Sequence, residues 1–452
     1  MSQKAIQDFT QGPLFKPMLL FSVPFMLSNA LQVLYSMADM LIVGKFVGSY
    51  GIAAVMTAGF IIMFLTMLGL GMATGGQVLV AQLIGKGAQN QLNQAIGTLL
   101  TMNLVVTAIV SVASVGLADC MLQLVDTPPE AAGYAREYLQ ICGGGLIFIY
   151  VYNVIAAVLR GVGDSVRPFT FILISALLNV VLDLVLVAGL KLQVAGAAIA
   201  TVISQAVAMV LALIYIYRNR NIFGFEFKLS HLKCEPDMLK SLIKLGVPFA
   251  VRFGAINVSM IFVAALINSL GVAAAAAFGI ALRLDELANK ISQGVMMAVS
   301  TITGQNIGAG KFDRIRRGVY YAWSICGGFF LIFGAVMYCM PEVLFKLFTD
   351  DPEVIKLAPV ILTAILLHYP ALLIMKGTNG FIQGIGNAMF GLIIALLDGF
   401  VCRVLFSWLL GIYWGWGLKG MILGYALATY STALPNLFYF LFVPWHRRKT
   451  VI

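Results

Sequence analysis

The stretch Gln82-Leu-Ile-Gly85-Lys-Gly87 returns as Gln305-Asn-Ile-Gly308-Ala-Gly310, 223 residues further along the chain. Other landmarks return at nearly the same distance: Val23-Pro24-Phe25 as Val247-Pro248-Phe249, Pro129-Glu130 as Pro352-Glu353, and Gly161-Val-Gly163-Asp164 as Gly384-Ile-Gly386-Asn387. A spacing that holds over several landmarks is hard to obtain by chance. It indicates two copies of one folding unit.

The composition is that of a membrane protein. Apolar residues make up 61% of the chain and charged residues 11%, whereas a soluble domain carries about a quarter charged residues. Twelve apolar stretches are each long enough to span a bilayer, which takes about 20 helical residues. They lie near 17–43, 51–79, 92–118, 133–158, 167–188, 194–217, 241–267, 273–303, 315–338, 354–383, 388–411 and 416–443. We predict an all-α polytopic membrane protein with twelve transmembrane helices.

The longest hydrophilic stretch joins the two copies. It divides the chain into an N-terminal six-helix bundle at 1–217, a linker at 218–240 and a C-terminal six-helix bundle at 241–452. Six helices return the chain to the side of the membrane where it began. Both copies therefore insert the same way up, and a pseudo-twofold axis along the membrane normal should relate them. Paired repeats of this kind are typical of transporters that rock one half against the other.

The net charge of +10 is a topology signal. With the N-terminus inside, 18 Lys and Arg residues fall on the inner loops and tails and 6 on the outer loops. This bias predicts a multi-pass protein of the cell membrane with both termini cytoplasmic, and it argues against a nucleic-acid partner. No Walker-type phosphate loop and no clustered catalytic constellation occur in the sequence. We therefore expect no enzyme and no cofactor, with an ion gradient as the energy source.

Two acids fall inside the predicted helices of the first half. A charge near the bilayer centre costs roughly 2.5–3.5 kcal/mol, so Asp39 and Asp183 need a partner or a function. Counted from the outer Lys45 and Lys191, both lie at a similar depth, and Thr201 falls in the same layer. Asn179 precedes Asp183 by one helical turn. These oxygen ligands suit Na⁺ or a shared proton. The alternative is that each acid only bonds a neighbouring helix.

Predicted helix one supports a cavity in the first half. Ser28, Gln32, Ser36 and Asp39 recur at helical spacing and form a polar stripe, which in a membrane helix usually faces a cavity or other helices. Pro24 removes one backbone hydrogen bond in the same helix. We expect a kink there that acts as a hinge.

The second half carries a different set of charges. Its predicted membrane residues sum to +2, against −2 in the first half. Arg283, Glu286 and Lys290 share one face of predicted helix eight. This half should therefore line part of a substrate path and favour zwitterionic or anionic groups, although mutual ion pairing explains the same residues. The candidate path residues in both halves are Gln32, Tyr35, Asn153, Asn257, Arg283, Glu286 and Lys290.

The chain resembles the multidrug and toxic compound extrusion (MATE) family over nearly its whole length. The resemblance rests on Val23-Pro24-Phe25 with Asp39 and Gly44, on Gln82…Gly85-Lys-Gly87, on Leu159-Arg160-Gly161…Gly163-Asp164, and on their echoes in the second half. It implies antiport, in which Na⁺ or H⁺ enters while an amphipathic organic compound leaves. The pattern is similar to the DinF-type and MepA-like members. Their cation site uses positions that match Asp39, Asn179, Asp183 and Thr201, with a backbone carbonyl at Ala197.

One departure from the family and one alternative function stay open. The NorM branch also has a Glu on helix seven and an Asp on helix ten, and here those positions are Asn257 and about Leu372. This difference puts a second-half ion site of that kind in doubt. The alternative function is a flippase of a lipid-linked sugar or lipid in the same superfamily. We expect a monomer that binds a small amphipathic substrate within the lipid bilayer.

Overall fold

The computed structural model describes residues 7–220, 233–447 and 450–451. Helices form its regular structure, and no strand occurs in these ranges. Most of the predicted linker, residues 221–232, lies outside the described residues. The twelve predicted spans correspond to α1 (Phe15–Phe46), α2 (Ser49–Lys86), α3 (Gln89–Gly116), α4 (Pro129–Gly144 and Leu146–Val162), α5 (Val166–Gly189), α6 (Gln193–Arg218), α7 (Pro236–Asn268), α8 (Val272–Gly308), α9 (Phe312–Cys339), α10 (Ala358–Gly384), α11 (Ala388–Tyr413) and α12 (Gly417–Ala428 and Tyr430–Phe442).

The described helices confirm the prediction of an all-α polytopic membrane protein. Nine of them are long and apolar enough to cross a membrane, and the two segments of α4, bent by 45°, make a tenth. The other two predicted spans, α8 and α12, are less uniformly apolar or are broken. α8 carries four charged residues between Arg283 and Lys290, and α12 is interrupted at Thr429.

Packing divides the chain into two compact units. The first unit contains Leu27–Ala250 together with the N-terminal residues up to Asp8, and the second contains Phe9–Met26 and Val251–Ile452. The beginning of α1 therefore belongs to the second unit, and the beginning of α7 belongs to the first. The predicted bundles at 1–217 and 241–452 instead place the whole of α1 in the first bundle and the whole predicted span of α7 in the second. Hydropathy marks where a helix lies but does not show which half each end packs against.

Each unit has its own apolar core. In the first unit, the core is built around Val43, Ala54, Leu139, Tyr150 and Val194. In the second, Phe9, Phe21 and Met18 from the N-terminal segment pack with residues of α8, α9 and α10. The N-terminal segment is also tied down by polar contacts within this unit, because Gln305 and Arg314 bond the backbone of Phe9.

The repeated glycine motifs each end a helix, in both copies. Gly87 ends α2 in a left-handed conformation, and Gly310 adopts the same φ of 69° after α8. Such glycines are common helix C-caps because they lack the Cβ that disfavours this conformation. The motif therefore ends a helix and gives no support to a nucleotide-binding loop.

A second glycine pair sets a close helix contact in each unit. A Cβ added at Gly161 of α4 would lie 2.9 Å from the carbonyl oxygen of Gln77 and 2.8 Å from Val80 Cγ1. At Gly384 of α10, it would lie 2.6 Å from the carbonyl oxygen of Ser300 and 2.5 Å from Thr303 Cβ. Ser300 and Thr303 stand 223 residues after Gln77 and Val80. The two copies thus share the same α2·α4 and α8·α10 packing.

We predict that Gly161→Ala and Gly384→Ala each lower the melting temperature of the purified protein in detergent. The added methyl group overlaps backbone that cannot easily move, and overpacking of this kind costs about 1–3 kcal/mol. The loss should appear although Ala favours a helix over Gly by about 1 kcal/mol. Gly133→Ala is the matched control, because it lies in α4 with nothing within 4 Å of an added Cβ. Equal melting temperatures for Gly133→Ala and Gly161→Ala would refute the close contact.

Candidate functional site

The four side chains predicted to bind a cation all belong to the first unit. Asp39 lies on α1, Asn179 and Asp183 on α5, and Thr201 on α6. Asp183 is 0% exposed, Asn179 is 3% exposed and Asp39 is 9% exposed. Tyr35 lies one helical turn before Asp39 and Asn179 one turn before Asp183, and both line one small cavity. The fold therefore places both acids in one buried region.

Buried oxygens in this region have no hydrogen-bond partner among the described residues. They are Asp39 Oδ1, Asn179 Oδ1 and both carboxylate oxygens of Asp183. Buried polar atoms in folded proteins nearly always have a partner. The amide nitrogen of Asn179 is also unpartnered, so nothing holds its amide in one orientation. These oxygens can therefore turn toward a ligand.

A small cavity reaches part of this group. Its lining includes Tyr35, Asn179 and Thr201. The remaining lining residues are Ile172, Ser175, Ala176, Ser204 and Gln205. Both serines of this lining donate to backbone carbonyls: Ser175 to that of Ser204, and Ser204 to that of Thr201. Tyr35, predicted on the substrate path, lies beside the predicted cation ligands.

Sequence reasoning missed Tyr138 of α4. Its side chain is buried in the same core cluster as Cys142, Ala197 and Ala198. A phenol can donate or accept a hydrogen bond, so Tyr138 can support either a bound cation or a proton. A tyrosine within an apolar helix face gives no sequence signal for such a role, because buried tyrosines are common in cores.

Local backbone geometry places Asp183 next to α6. The α-helical part of α5 ends at Asp183, and Leu184–Gly189 continues as a π-helix. π-Helical segments are rare and often occur at functional sites. Gly196 allows α6 to approach this segment, since an added Cβ would lie 3.1 Å from the carbonyl carbon of Leu186. Ala197, the predicted backbone ligand, is fully buried one residue later.

The donor set fits a hard monovalent cation or a proton. Carboxylate, amide and hydroxyl oxygens are the ligands that hard cations prefer. Two carboxylates in a low-dielectric environment cannot both stay ionised cheaply, so one of them takes up a proton or both share a cation. The carboxylate and amide oxygens without a partner are therefore able to bind a proton or a cation. Thr201 and the carbonyl of Ala197 are the other ligands of the predicted set.

The remaining predicted path residues are not gathered around the cation ligands. Gln32 of α1 and Asn153 of α4 are partly buried, and no hydrogen bond joins them to the cation ligands within the described chain. Asn257 lies in α7, but its side chain is outside the described part of the structure. A role of these three residues in substrate binding stays a prediction.

The charged face of α8 pairs with itself. The Arg283 guanidinium lies 3.2 Å from Glu286 Oε2, and Lys290 Nζ lies 3.6 Å from Glu286 Oε1. The three side chains are 43–67% exposed. Exposed ion pairs contribute about 0–1 kcal/mol each to stability. This geometry matches the ion-pairing alternative, and their place on a substrate path stays a prediction.

The second unit also contains a buried charge network. Arg403 donates to both oxygens of Asp398 at 3.2 and 3.1 Å, and Thr432 donates to the second of these oxygens. The Arg403 guanidinium lies over the ring of Tyr425. Separate sequence segments supply this network from α11 and α12, so helix periodicity alone could not reveal it.

A carboxylate on α8 continues this network. Tyr425 donates to Asp285 Oδ2 at 2.9 Å, and His368 Nδ1 lies 3.4 Å from Asp285 Oδ1. All three side chains are buried. The network therefore connects α8, α10, α11 and α12 through the core of the second unit.

The sequence profile of the MatE family matches residues 24–185 and 248–409. The chain belongs to the MatE family. The two matched segments have equal length and lie one in each half, so each half of the chain carries one MatE match. This confirms the family that the sequence motifs predict.

Relatives of this MatE chain match it nearly end to end. It is 28% identical over 444 residues to the probable multidrug resistance protein YpnP of Bacillus subtilis, covering 98% of both chains. It is 25% identical over 425 residues to the multidrug export protein MepA of Staphylococcus haemolyticus, covering 92% of both. The MatE chain is thus a multi-pass membrane transporter of the multidrug efflux family.

Solved structures share its fold. A transporter of the MOP superfamily from Pyrococcus furiosus superposes with a TM-score of 0.92 at 22% identity, covering 99% of this chain and 100% of that one. An outward-facing multidrug resistance MATE family transporter superposes with a TM-score of 0.90 at 23% identity, covering 97% of both chains. These matches support the twelve-helix MATE fold for the chain.

We predict that an ion stabilises the MatE protein through the two acids of the first unit. A ligand that binds only the folded state raises the melting temperature as its concentration rises. Na⁺, or a proton added by lowering the pH, should therefore raise the melting temperature of the wild type. Asp39→Asn and Asp183→Asn should each remove most of that shift. Asp126→Asn is the control, since Asp126 is exposed and asparagine tolerates its positive φ of 48°.

The pH dependence of Na⁺ binding adds a second readout. Protons compete for the same oxygens, so the apparent Na⁺ affinity should fall as the pH is lowered from 8 to 5. A Na⁺ affinity that does not change over this range counts against a shared site. A melting-temperature shift as large as that of the wild type in both Asp39→Asn and Asp183→Asn would also count against it.

The second unit gives a stability prediction. Asp398→Asn leaves Arg403 buried without its charge partner, and losing one partner of a buried pair costs about 3–5 kcal/mol. The melting temperature should fall strongly. Glu286→Gln is the matched control, because it also removes an acid paired with an arginine, but the Glu286 side chain is 44% exposed. This change should alter the free energy of unfolding by about 0–1 kcal/mol. Similar losses in the two variants would show that burial does not govern the strength of these pairs.

Proposed function

We propose that the protein is a secondary active antiporter that exports amphipathic organic compounds in exchange for Na⁺ or H⁺. The observation that carries this proposal is the buried pair Asp39 and Asp183, whose carboxylate oxygens include three without a partner in the described chain. Two acids kept in a membrane protein without a basic partner need a cation or a proton. Membership in a multidrug efflux family supports an organic compound as the species that moves in the opposite direction.

Coupling follows from the electrostatics of this pair. When the coupling ion leaves, Asp39 and Asp183 repel one another in a low-dielectric environment, so the state without an ion is unfavourable. Binding of Na⁺ or H⁺ relieves the repulsion and favours the conformation that holds the ion. A ligand shifts such an equilibrium only by the difference in its affinity for the two states. The ion gradient can therefore drive alternating access.

Two prolines lie close to the points where α1 and α7 pass from one unit to the other, and a conformational change could bend these helices there. Pro24 precedes the point, after Met26, where α1 passes from the second unit into the first. Pro248 has the equivalent place in α7, which changes unit after Ala250. A proline inside a helix removes a backbone hydrogen bond and favours a kink. We assign the hinge to Pro24, with Pro248 as its counterpart.

The substrate path is proposed to run past residues of both units. Tyr35 lies at the cavity beside Asn179 and Thr201. Gln32, Asn153 and Asn257 are its other proposed polar contacts, and the face of Arg283, Glu286 and Lys290 its charged ones. The relatives are named as multidrug resistance and export proteins, which supports amphipathic substrates of varied structure.

We also place the protein in the cell membrane as a monomer, with both termini in the cytoplasm. The support is the excess of Lys and Arg on the loops that this orientation puts inside. In this role, the chain moves its substrate unchanged and is not an enzyme. Na⁺ or H⁺ is cargo, and the proposal needs no other cofactor.

We predict that Asp39→Asn abolishes gradient-driven export while the protein still folds and inserts. The amide has nearly the same shape as the carboxylate but carries no charge to couple to the ion. The measurement is dye export from proteoliposomes with an imposed Na⁺ or H⁺ gradient. Folding is checked by size-exclusion chromatography of the same preparation.

The control separates the site from general charge loss. Asp126→Asn makes the same chemical change at an exposed position and should export at the wild-type rate. Export by Asp39→Asn at the wild-type rate would overturn the proposal. If the wild type moved a lipid-linked sugar in place of the dye, and did so without an ion gradient, the flippase alternative would be favoured.

A further inference from the structure

The end of α11 and the loop after it concentrate exposed aromatic side chains. Three of the chain's five tryptophans lie between positions 408 and 416. Trp408 stacks on Tyr413, and the ring centroids of Trp414 and Trp416 lie 5.4 Å apart. All four side chains are 42–69% exposed. A contiguous exposed patch of this kind marks a surface that meets a partner or a membrane.

The first unit has the same loop backbone between α5 and α6. There the amide of Leu190 donates to the carbonyl five residues earlier, and the amide of Leu192 donates to the carbonyl six residues earlier. The amides of Trp414 and Trp416 make the same two bonds between α11 and α12. Each position recurs after 224 residues. The 190–193 loop and the 414–417 loop are therefore one element of the repeated folding unit.

This loop backbone is unfavourable in the first unit. Lys191 and Gln193 have φ of 55° and 52°, and the equivalent Gly415 and Gly417 have φ of 69° and 57°. A left-handed φ suits glycine, but it is disfavoured for a residue with a Cβ. Strain of this kind persists where the rest of the structure or a function requires the conformation.

The shared backbone presents a pair of apolar side chains, two positions apart, in each unit. Leu190 and Leu192 are 63% and 42% exposed, and Trp414 and Trp416 are each 52% exposed. The two sequences thus differ in residue type but agree in leaving both side chains uncovered by their own unit. This agreement indicates that the same kind of surrounding covers both loops.

The length of α11 places the 414–417 loop at the level of the lipid headgroups. α11 (Ala388–Tyr413) has 26 residues, or about 39 Å at 1.5 Å per residue, whereas the hydrocarbon core of a bilayer is about 30 Å thick. Leu397, Leu405 and Ile412 are exposed apolar residues along this spanning helix. The loop therefore continues a surface that faces lipid.

The side chains of both loops suit a phospholipid surface. Tryptophan is enriched at membrane–water interfaces because its ring is apolar and its indole N–H is polar. Each loop also has an exposed lysine, Lys191 in the first unit and Lys419 at the start of α12. A lysine beside apolar side chains can extend its ammonium group to lipid phosphates while its stem stays among apolar groups.

We propose that the 190–193 loop and the 414–417 loop are interfacial anchors, one in each unit, that hold their side chains in the headgroup layer of a phospholipid bilayer. Trp414 and Trp416 lie among the glycerol and phosphate groups, and the ammonium group of Lys419 lies beside the phosphates. This inference does not depend on which compound or ion the protein transports.

Quenching of tryptophan fluorescence measures the depth of the 414–417 loop. The full-length protein is placed in phosphatidylcholine nanodiscs, one copy per disc. Three quenchers are compared: a nitroxide on the lipid headgroup, a nitroxide near the end of the acyl chain, and iodide in the water. The signal of the loop is the difference between the wild type and the double variant Trp414→Phe/Trp416→Phe. The headgroup nitroxide should quench this signal at least twice as strongly as either other quencher.

Two further variants complete the test. Trp445→Phe is the matched control, because Trp445 is 2% exposed and its difference signal should respond to none of the three quenchers. Leu192→Trp, added to the Trp414→Phe/Trp416→Phe variant, places a reporter in the first unit. Since the two loops share one backbone, its signal should again be quenched most strongly from the headgroup.

Each other result would overturn the anchor. Stronger quenching of the Trp414 and Trp416 signal by iodide would place the loop in water, and stronger quenching from the acyl chain would place it in the hydrocarbon core. Quenching by none of the three would show that protein covers it. A Leu192→Trp signal with a different order of quenchers would refute the anchor of the first unit. If that variant fails to fold, Leu190→Trp decides in its place.

Discussion

A carboxylate inside a membrane must find a proton, a cation or strong hydrogen-bond donors, and this requirement shapes the first unit. Asp39 and Asp183 share one buried region, and no ion pair joins either of them to a basic side chain in the described ranges. α5 changes to a π-helix directly after Asp183, and Gly196 lets α6 approach it. These features pack α5 against α6 directly after Asp183.

The second unit meets the same constraint differently. It pairs its buried acids with an arginine, a tyrosine and a histidine, and it leaves Lys376 with an amide as its partner. The two halves have kept a common scaffold, as the matching contacts of Gly161 and Gly384 show. Their chemistry has diverged within that scaffold: no ion pair joins the buried acids Asp39 and Asp183 of the first unit to a basic side chain in the described ranges, whereas Asp398 of the second unit pairs with Arg403.

Much of the fold could be predicted from the sequence, because hydropathy and repeat spacing act along the chain. The twelve spans, and the proposal of Asp39, Asn179, Asp183 and Thr201 as cation ligands, needed only helix periodicity and an approximate depth, and the ligand role of these four residues stays a prediction. Contacts between distant segments were harder. The burial of Tyr138 against Ala197 of α6, and the position of Asp285 between His368 and Tyr425, depend on how each helix is rotated against its neighbours. Spacing along one helix does not contain that information.

The exchange of the first parts of α1 and α7 between the units was missed for a related reason. An apolar stretch of spanning length shows where a helix lies in the membrane, but both possible packing partners are equally apolar. Only the three-dimensional contacts show that Phe9–Met26 belongs with the second unit.

Ion movement driven by substrate alone tests the central claim most directly. Proteoliposomes are loaded with dye, no ion gradient is imposed, and the movement of ²²Na⁺ and of protons is followed as the dye leaves. The account predicts that one of these ions moves in the opposite direction to the dye, and that this movement disappears when both Asp39 and Asp183 are changed to asparagine. Dye that leaves through the protein with no ion movement, or ion movement that survives the double change, would contradict it.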